Sequence, residues 1–201
     1  MVPDTSPSKV RSLSHAYIPI PLPHPWSIHA DNFLYVLHEI TSTLTVQEIP
    51  SDPATADAPI LAEASIIPPN PPFGSKFAAA EILIPPTTPQ FPTPLIYVSN
   101  RNIGPGKDPR GDTIAIFEHV VDSESCSSSQ LNLVAQVSTG LDQIRGMQFG
   151  RVEDGGVEFL VASGFAGMGG VVVFKRTDGG RNLVEVARNM DVLTRTSFVW
   201  V

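Results

Sequence analysis

Leu95-Ile96-Tyr97-Val98-Ser99-Asn100-Arg101, followed by Thr113-Ile114-Ala115-Ile116-Phe117, carries the clearest structural signal in the chain. The same order of two apolar runs occurs twice more, at 33–39 with 43–46 and at 159–164 with 170–174. A third apolar run follows each pair, at 61–64, 133–137 and 183–187. Tyr97 lies 62 positions after Tyr35 and 63 positions before Leu160. Self-similarity at a nearly fixed period indicates stacked or radially arranged structural units.

Each repeat divides into short apolar strands separated by turns rich in proline and glycine. The middle repeat predicts strands at about 77–84, 94–101, 112–120 and 131–139, and the third at about 144–152, 157–165, 170–177 and 183–190. The first predicts strands at 33–39, 43–49 and 60–67, after an irregular opening near 26–30. No segment carries a sustained helical stripe, so the sequence predicts an all-β protein. Four antiparallel strands per repeat are typical of a propeller blade.

The domain organisation follows from this division. We expect residues 1–25 to be an irregular Pro- and Ser-rich N-terminus and residues 26–201 to be a partial β-propeller. The expected blades lie at about 26–67, 77–139 and 144–190, with a terminal strand at 198–201. Closed rings have roughly four to eight blades, so three blades predict a truncated ring with exposed edges that could self-associate. A self-sufficient three-bladed domain and a dimer that completes the ring are the alternatives.

Composition excludes several classes of function. The net charge of −7 and the scattered Lys and Arg residues argue against nucleic-acid binding. Prolines interrupt the segment 18–23, which therefore is no secretory signal, and no run approaches the ~20 apolar residues that span a membrane. The lone Cys126 lies in a polar run and indicates a reducing compartment. The sequence thus predicts a cytoplasmic protein without nucleic-acid or membrane partners.

Motifs for metals and cofactors are missing from the sequence. The five histidines show no metal-ligand spacing, so we expect no metal site. The glycine-rich segment 164–170 lacks the Lys-Ser/Thr pair of a phosphate-binding loop and is expected to be a hairpin turn. We therefore predict no cofactor.

Several segments together resemble the lactonase-type seven-bladed propellers, which include 6-phosphogluconolactonase and the fungal carboxy-cis,cis-muconate cyclase. The segments are 34–46, 77–84, 95–101, 111–117 and 139–149, the last similar to the family's Pro-Arg-Gly strand opening with Ile144 in place of proline. The resemblance covers residues 26–201, the C-terminal half of such a protein. The Pro-rich insertion at 85–94 resembles the fungal branch. The family's Gly-Pro-Arg-His element is matched only by His24, without the arginine.

Five residues are candidates for the chemistry that the resemblance implies. Glu39, Arg101 and Arg145 occupy strand ends or openings, and Glu81 lies inside an apolar strand, where an unpaired carboxylate is costly. We expect Arg101 and Arg145 to bind the substrate anion, because guanidinium groups recognise carboxylates and phosphates in a bidentate manner. Glu81 or Glu39 would act as the acid or base, with His24 assisting. The alternative for each charged residue is a blade-to-blade ion pair.

The resemblance implies a lactonase that hydrolyses a sugar lactone such as 6-phosphogluconolactone, or a cyclase that acts on a carboxymuconate. The substrate would be a small anionic lactone or carboxylate. We expect the activity to be impaired in a truncated ring. The alternative is a non-catalytic half-propeller that serves as an interaction module or is a truncated gene product.

Overall fold

Three four-stranded antiparallel sheets make up the part of the chain that the computed structural model describes. The structure describes residues 14–17, 33–49, 52, 58–121, 129–167, 170–192 and 197–200, and of residues 14–17 the backbone alone. Two single-turn 3₁₀ helices, Gly156–Glu158 and Asp178–Gly180, are the helical elements of these residues. The all-β prediction is confirmed.

Each sheet follows the chain strand by strand, as the blades of a propeller do. Blade 1 contains β1 (Ser14–Tyr17), β2 (Phe33–His38), β3 (Thr43–Glu48) and β4 (Ile60–Ser65). Blade 2 contains β5 (Phe77–Leu83), β6 (Leu95–Asn102), β7 (Thr113–Val121) and β8 (Ser129–Ser138). Blade 3 contains β9 (Asp142–Phe149), β10 (Phe159–Ala166), β11 (Val171–Thr177) and β12 (Asn182–Asn189). The first strands β1, β5 and β9 pack in that order, β1 against β5 and β5 against β9. The described residues therefore form a partial β-propeller.

The middle blade has an apolar core on both of its faces. Side chains alternate along a strand, so Leu95 and Tyr97 of β6 pack towards blade 3 while Ile96 and Val98 pack towards blade 1. Every residue of β6 is buried as a result. This double burial explains why 95–102 reads as an almost continuous apolar run in the sequence.

A buried arginine joins blades 2 and 3. Arg176 is 2% exposed, and its guanidinium lies 3.9 Å from the centre of the Phe91 ring. Its Nε donates to the hydroxyl of Tyr97 at 3.0 Å, and that hydroxyl donates to the carbonyl of Gly180 at 2.5 Å. The loop 85–94, predicted as an extended insertion, is thus anchored by its buried Phe91.

The two ends of the chain differ from the sequence predictions. Ser14–Tyr17 is a strand, although residues 1–25 were expected to be irregular, and it pairs with Leu34–Leu37 of β2. Its four residues are too few to show a periodicity, and the unpaired edge of β2 supplies the hydrogen bonds that order it. The predicted opening near 26–30 lies outside the described residues, as does Cys126.

The predicted terminal strand at 198–201 is not formed over its described residues. Residues 197–200 are in no sheet, although Phe198 and Trp200 are half-buried. A strand requires a neighbour whose N–H and C=O groups complete its hydrogen bonds. The apolar pattern of this segment was sufficient to predict a strand, but the described residues supply no pairing partner.

Candidate active site

Four of the five predicted site residues line one polar cleft. Its volume is about 140 Å³, and its walls are formed by Leu37, Glu39, Ala79, Ala80, Glu81, Arg101 and Arg145. Glu39 comes from blade 1, Glu81 and Arg101 from blade 2, and Arg145 from the first strand of blade 3. The cleft therefore needs all three blades, and two carboxylates and two guanidinium groups meet in it.

Glu39 and Arg101 form an ion pair between blades 1 and 2. Arg101 Nη2 donates to Glu39 Oε1 and also to the carbonyl of Ala79 at 3.2 Å. The Arg101 side chain is 7% exposed and that of Glu39 is 36% exposed. The carbonyl of Glu39 accepts a bond from the N–H of Ala79 at 3.1 Å, which fixes the β2–β3 turn against β5. Glu39 and Arg101 thus form the blade-to-blade ion pair that was the alternative to a role in the chemistry.

Glu81 lies on a β-bulge. Ala79 pairs with Asn100 and Ile82 pairs with Val98, so Ala80 and Glu81 together oppose the single residue Ser99. A bulge re-aims the side chains around it, which accounts for a carboxylate entering the cleft from an apolar strand. The N–H of Glu81 donates to Ser99 Oγ at 2.9 Å.

Burial raises the pKa of the Glu81 carboxyl above its ordinary value. The positive charges of Arg145 and then Arg101 oppose this effect without cancelling it. Within the described part of the chain Glu81 makes no ion pair shorter than 4 Å. A half-buried carboxyl near cations, with a pKa shifted towards neutrality, is suited to accepting and releasing a proton.

Arg145 occupies a second bulge, in blade 3. Ser163 pairs with Gly146 and Gly164 pairs with Ile144, which leaves Arg145 as the extra residue of β9. Its side chain is exposed, and no salt bridge of the described residues includes it. Arg145 is thus the more accessible of the two cleft arginines.

The segment that leads into Arg145 is held by a buried carboxylate. Asp112 accepts backbone N–H groups from Asn102 at 2.9 Å and from Gln143 at 2.6 Å. Gln143 has a φ of 56°, in the left-handed region that a residue other than glycine adopts only at a cost. Burial raises the pKa of Asp112, and its two backbone bonds oppose the rise. Asp112 therefore ties the β6–β7 loop to the start of β9.

The fifth predicted site residue, His24, lies outside the described residues. The strand that opens blade 1 is Ser14–Tyr17, and it carries a different histidine, His15, whose backbone pairs with Val36. His15 therefore lies on the strand that pairs with β2, whereas the position of His24 is not described. His15 was not a sequence-based candidate, because it lies in a segment that was expected to be irregular.

The structure also contains features that sequence reasoning did not identify. Neither bulge was predicted, although a glutamate within the apolar run 78–84 is the signal that could have suggested the first one. Ser99, which has no Gly-x-Ser-x-Gly nucleophile elbow, lies opposite the first bulge. A second cleft of about 230 Å³ lies between the loops of blades 2 and 3, lined by Lys107, Asp108, Pro109, Gly111, Asp112, Gly140, Leu141, Asp142 and Gly167.

The described ranges contain neither a metal-binding group nor a membrane-spanning helix. No group of three or more His, Cys, Asp or Glu side chains there could hold a metal ion. No helix among the same residues is long and apolar enough to cross a membrane.

Comparison with known proteins gives matches in fold only. No family model and no curated protein matches the sequence. A protein from Lactobacillus plantarum matches with a TM-score of 0.59 and 19% identity, covering 82% of this chain and 40% of its own. The periplasmic gluconolactonase of Pseudomonas aeruginosa matches with a TM-score of 0.55 and 18% identity, covering 78% and 36%. A candidate 6-phosphogluconolactonase from Bacteroides uniformis matches with a TM-score of 0.54 and 17% identity, covering 82% and 38%.

The chain spans 40% or less of the length of these matched structures. At such low identities the likeness establishes the architecture, which agrees with the three blades described above. The chain therefore has the fold of a partial β-propeller, similar to part of the gluconolactonase structures.

Proposed function

We propose that the cleft binds a small anionic lactone or carboxylate and that it is part of a lactone-hydrolysing site. The observation that carries the proposal is the position of Glu81, whose carboxyl has a raised pKa and lines a polar cleft with Arg101 and Arg145. The likeness to gluconolactonase structures supports the substrate class, and the cleft chemistry supports the reaction.

Hydrolysis of a lactone requires one proton to move from the attacking water to the ring oxygen that leaves. In the proposed reaction, the Glu81 carboxylate accepts that proton as the water oxygen bonds to the carbonyl carbon. Glu81 then returns the proton to the ring oxygen as its bond to that carbon breaks. The product is the open hydroxy acid, and Glu81 ends the cycle in its starting state. A carboxyl whose pKa is closer to neutrality than usual serves both steps.

The two arginines have different parts in this proposal. Arg145 is exposed and not in an ion pair of the described residues, so it binds the carboxylate or phosphate of the substrate. Arg101 is buried and held by Glu39 and the Ala79 carbonyl, so it contributes a fixed positive charge to the cleft. Glu39 consequently positions Arg101 and is not the proton carrier. The assisting role of His24 stays a prediction.

The same groups could form a lactone from a carboxymuconate, since that reaction also needs an anion site and one proton transfer. A panel containing gluconolactone, 6-phosphogluconolactone and carboxymuconate separates the two directions. The chain spans less than half the length of the compared structures. If catalysis needs further blades, we expect this chain to bind the substrate without converting it. That result would support the non-catalytic alternative.

The experiment compares the purified chain with Glu81→Gln and Arg145→Ala. Lactone loss is followed by base consumption at constant pH, and gluconate binding is followed by calorimetry. We expect Glu81→Gln to abolish turnover while binding persists, and Arg145→Ala to weaken binding about 10-fold or more. The matched controls are Glu63→Gln, on an exposed position of β4, and Arg151→Ala, an exposed arginine beside Glu153. Wild-type turnover in Glu81→Gln would refute the assignment.

A further inference from the structure

Ser99 is a fully buried residue in the middle of β6, with 0% exposure. Its Oγ accepts the N–H of Glu81 at 2.9 Å, and it points at the carbonyl of Ile144, 3.5 Å away, as the acceptor for its own proton. Ile144 directly precedes Arg145 in β9. One hydroxyl thus connects the backbone beneath the cleft carboxylate with the backbone beneath the cleft cation.

The bulge at Glu81 makes this hydroxyl necessary. Where Ala80 and Glu81 oppose one residue, the regular ladder is interrupted and cannot satisfy every backbone group. A buried N–H without a partner is unfavourable, and Ser99 Oγ supplies the partner for Glu81. That bond helps to hold the backbone of the bulge from which the Glu81 side chain projects.

The third repeat has a comparable serine. Ser163 forms the last pair of the β10–β11 ladder, as Ser99 does in the β6–β7 ladder; it is also 0% exposed, and it pairs with Gly146 beside the bulge at Arg145. A buried serine therefore faces each of the two bulges that bring charged side chains to the cleft. The first repeat has Leu37 at the corresponding position and no bulge in the β1–β2 pairing.

We propose that Ser99 is a positioning residue that holds Glu81 and Arg145 in register across blades 2 and 3. The inference rests on the proposed function of the cleft and assigns Ser99 no contact with substrate. Its hydroxyl acts through two backbone groups, those of Glu81 and Ile144. Removing it leaves both charged side chains present but allows the bulge to relax.

The test uses Ser99→Ala and Ser99→Cys, with Thr45→Val as the matched control. Thr45 is a buried hydroxyl residue of blade 1 that bonds to His38 Nε2 at 3.0 Å, and neither residue lines the cleft. Cysteine keeps the shape of serine but is a weak donor and acceptor, so it remains informative if alanine prevents folding. For each variant we would measure kcat and KM for 6-phosphogluconolactone, and the pKa of Glu81 from ¹³C-carboxyl NMR, assigned with Glu81→Gln.

We expect Ser99→Ala to lower kcat about 10- to 100-fold with little change in KM, since small displacements of catalytic groups have effects of this size. We also expect the pKa of Glu81 to move towards that of an ordinary glutamate, while Thr45→Val leaves both quantities unchanged. An unchanged pKa and kcat in the folded Ser99 variants would overturn the proposal. So would loss of folding in both of them, since Ser99 would then be a stability residue. If the wild-type chain hydrolyses no lactone, a shifted Glu81 pKa still supports positioning while the proposed function fails.

Discussion

Glu39 and Arg101 occupy equivalent positions in two successive repeats, 62 residues apart, and they bind each other across the boundary between blades 1 and 2. Glu39 directly follows the second strand of blade 1, and Arg101 is the last residue but one of the second strand of blade 2. Because Glu39 is negatively charged and Arg101 is positively charged, they form an ion pair between blades, which two residues of the same charge could not form. The two repeats therefore differ at a position where both residues line the cleft.

We predict that Glu39→Ala destabilises the protein by about 2–3 kcal/mol, because it leaves the charge of Arg101 buried without its counter-charge. Urea unfolding at neutral pH measures the change. Glu63→Ala, at an exposed site, should have little effect. The double variant Glu39→Ala with Arg101→Leu should recover part of the loss, since the guanidinium left without its counter-charge is then absent. Equal losses for Glu39→Ala and Glu63→Ala would contradict this account.

The raised pKa of Glu81 predicts a pH-dependent stability. A carboxyl whose pKa is higher in the folded protein than in the unfolded chain binds its proton more tightly when folded. Its favourable contribution is complete below the ordinary value of 4.5 and is lost as pH rises through the folded pKa. The variant Glu81→Gln should therefore match the wild type in acid and become the more stable protein as pH rises towards neutrality.

Chemical denaturation at a series of pH values checks this direction. Glu63→Gln is the control, because it replaces a glutamate by glutamine at an exposed position of β4. If the difference in unfolding free energy between Glu81→Gln and the wild type stays constant across the series, the Glu81 carboxyl has the same pKa in the folded and unfolded protein, contrary to the prediction. If Glu81 is also the proton carrier, the variant gains stability at neutral pH and loses turnover.

The contact between Tyr97 and Arg176 gives a third prediction. Tyr97→Phe removes the hydroxyl that serves Arg176 Nε and the Gly180 carbonyl, and both would remain buried. We expect a loss of about 1–3 kcal/mol in the free energy of unfolding. Adding Arg176→Leu should restore part of it, because the unpaired N–H group is then absent. Urea unfolding of the three proteins provides the measurement, and an unaltered midpoint for Tyr97→Phe would contradict the prediction.

The fold could be predicted from the sequence because burial dictates its pattern. The two buried faces of blade 2 require apolar side chains on both sides of β6, and this requirement produced the run at 95–102. The bulges at Glu81 and Arg145 could not be predicted, since each depends on how two strands are paired and not on either strand alone. Likewise, Ser14–Tyr17 forms a strand and residues 197–200 do not, because a pairing partner decides whether so short a segment forms a strand.

The outward face of blade 3 supports a proposal of self-association. Leu160, Val172 and Phe174 pack against blade 2, so by alternation their neighbours point to the opposite side. These neighbours are largely apolar, and they include Phe159, Val171, Val173 and Val184. Val184 is 47% exposed on β12, the last strand of the blade. In a propeller such a face packs on the next blade, so we propose that a second copy of the chain can cover it.

Sedimentation across a range of protein concentrations tests this proposal. We expect the wild-type chain to sediment as a mixture that shifts to larger species with concentration, and Val184→Lys to move it towards the monomer, because lysine on an exposed strand opposes such pairing. Val152→Lys is the matched control, since Val152 is 43% exposed but lies in the turn before Gly156 and outside this face. If the two lysine variants sediment alike, the association uses another surface. If the wild type is monomeric throughout, the face is not an interface between copies.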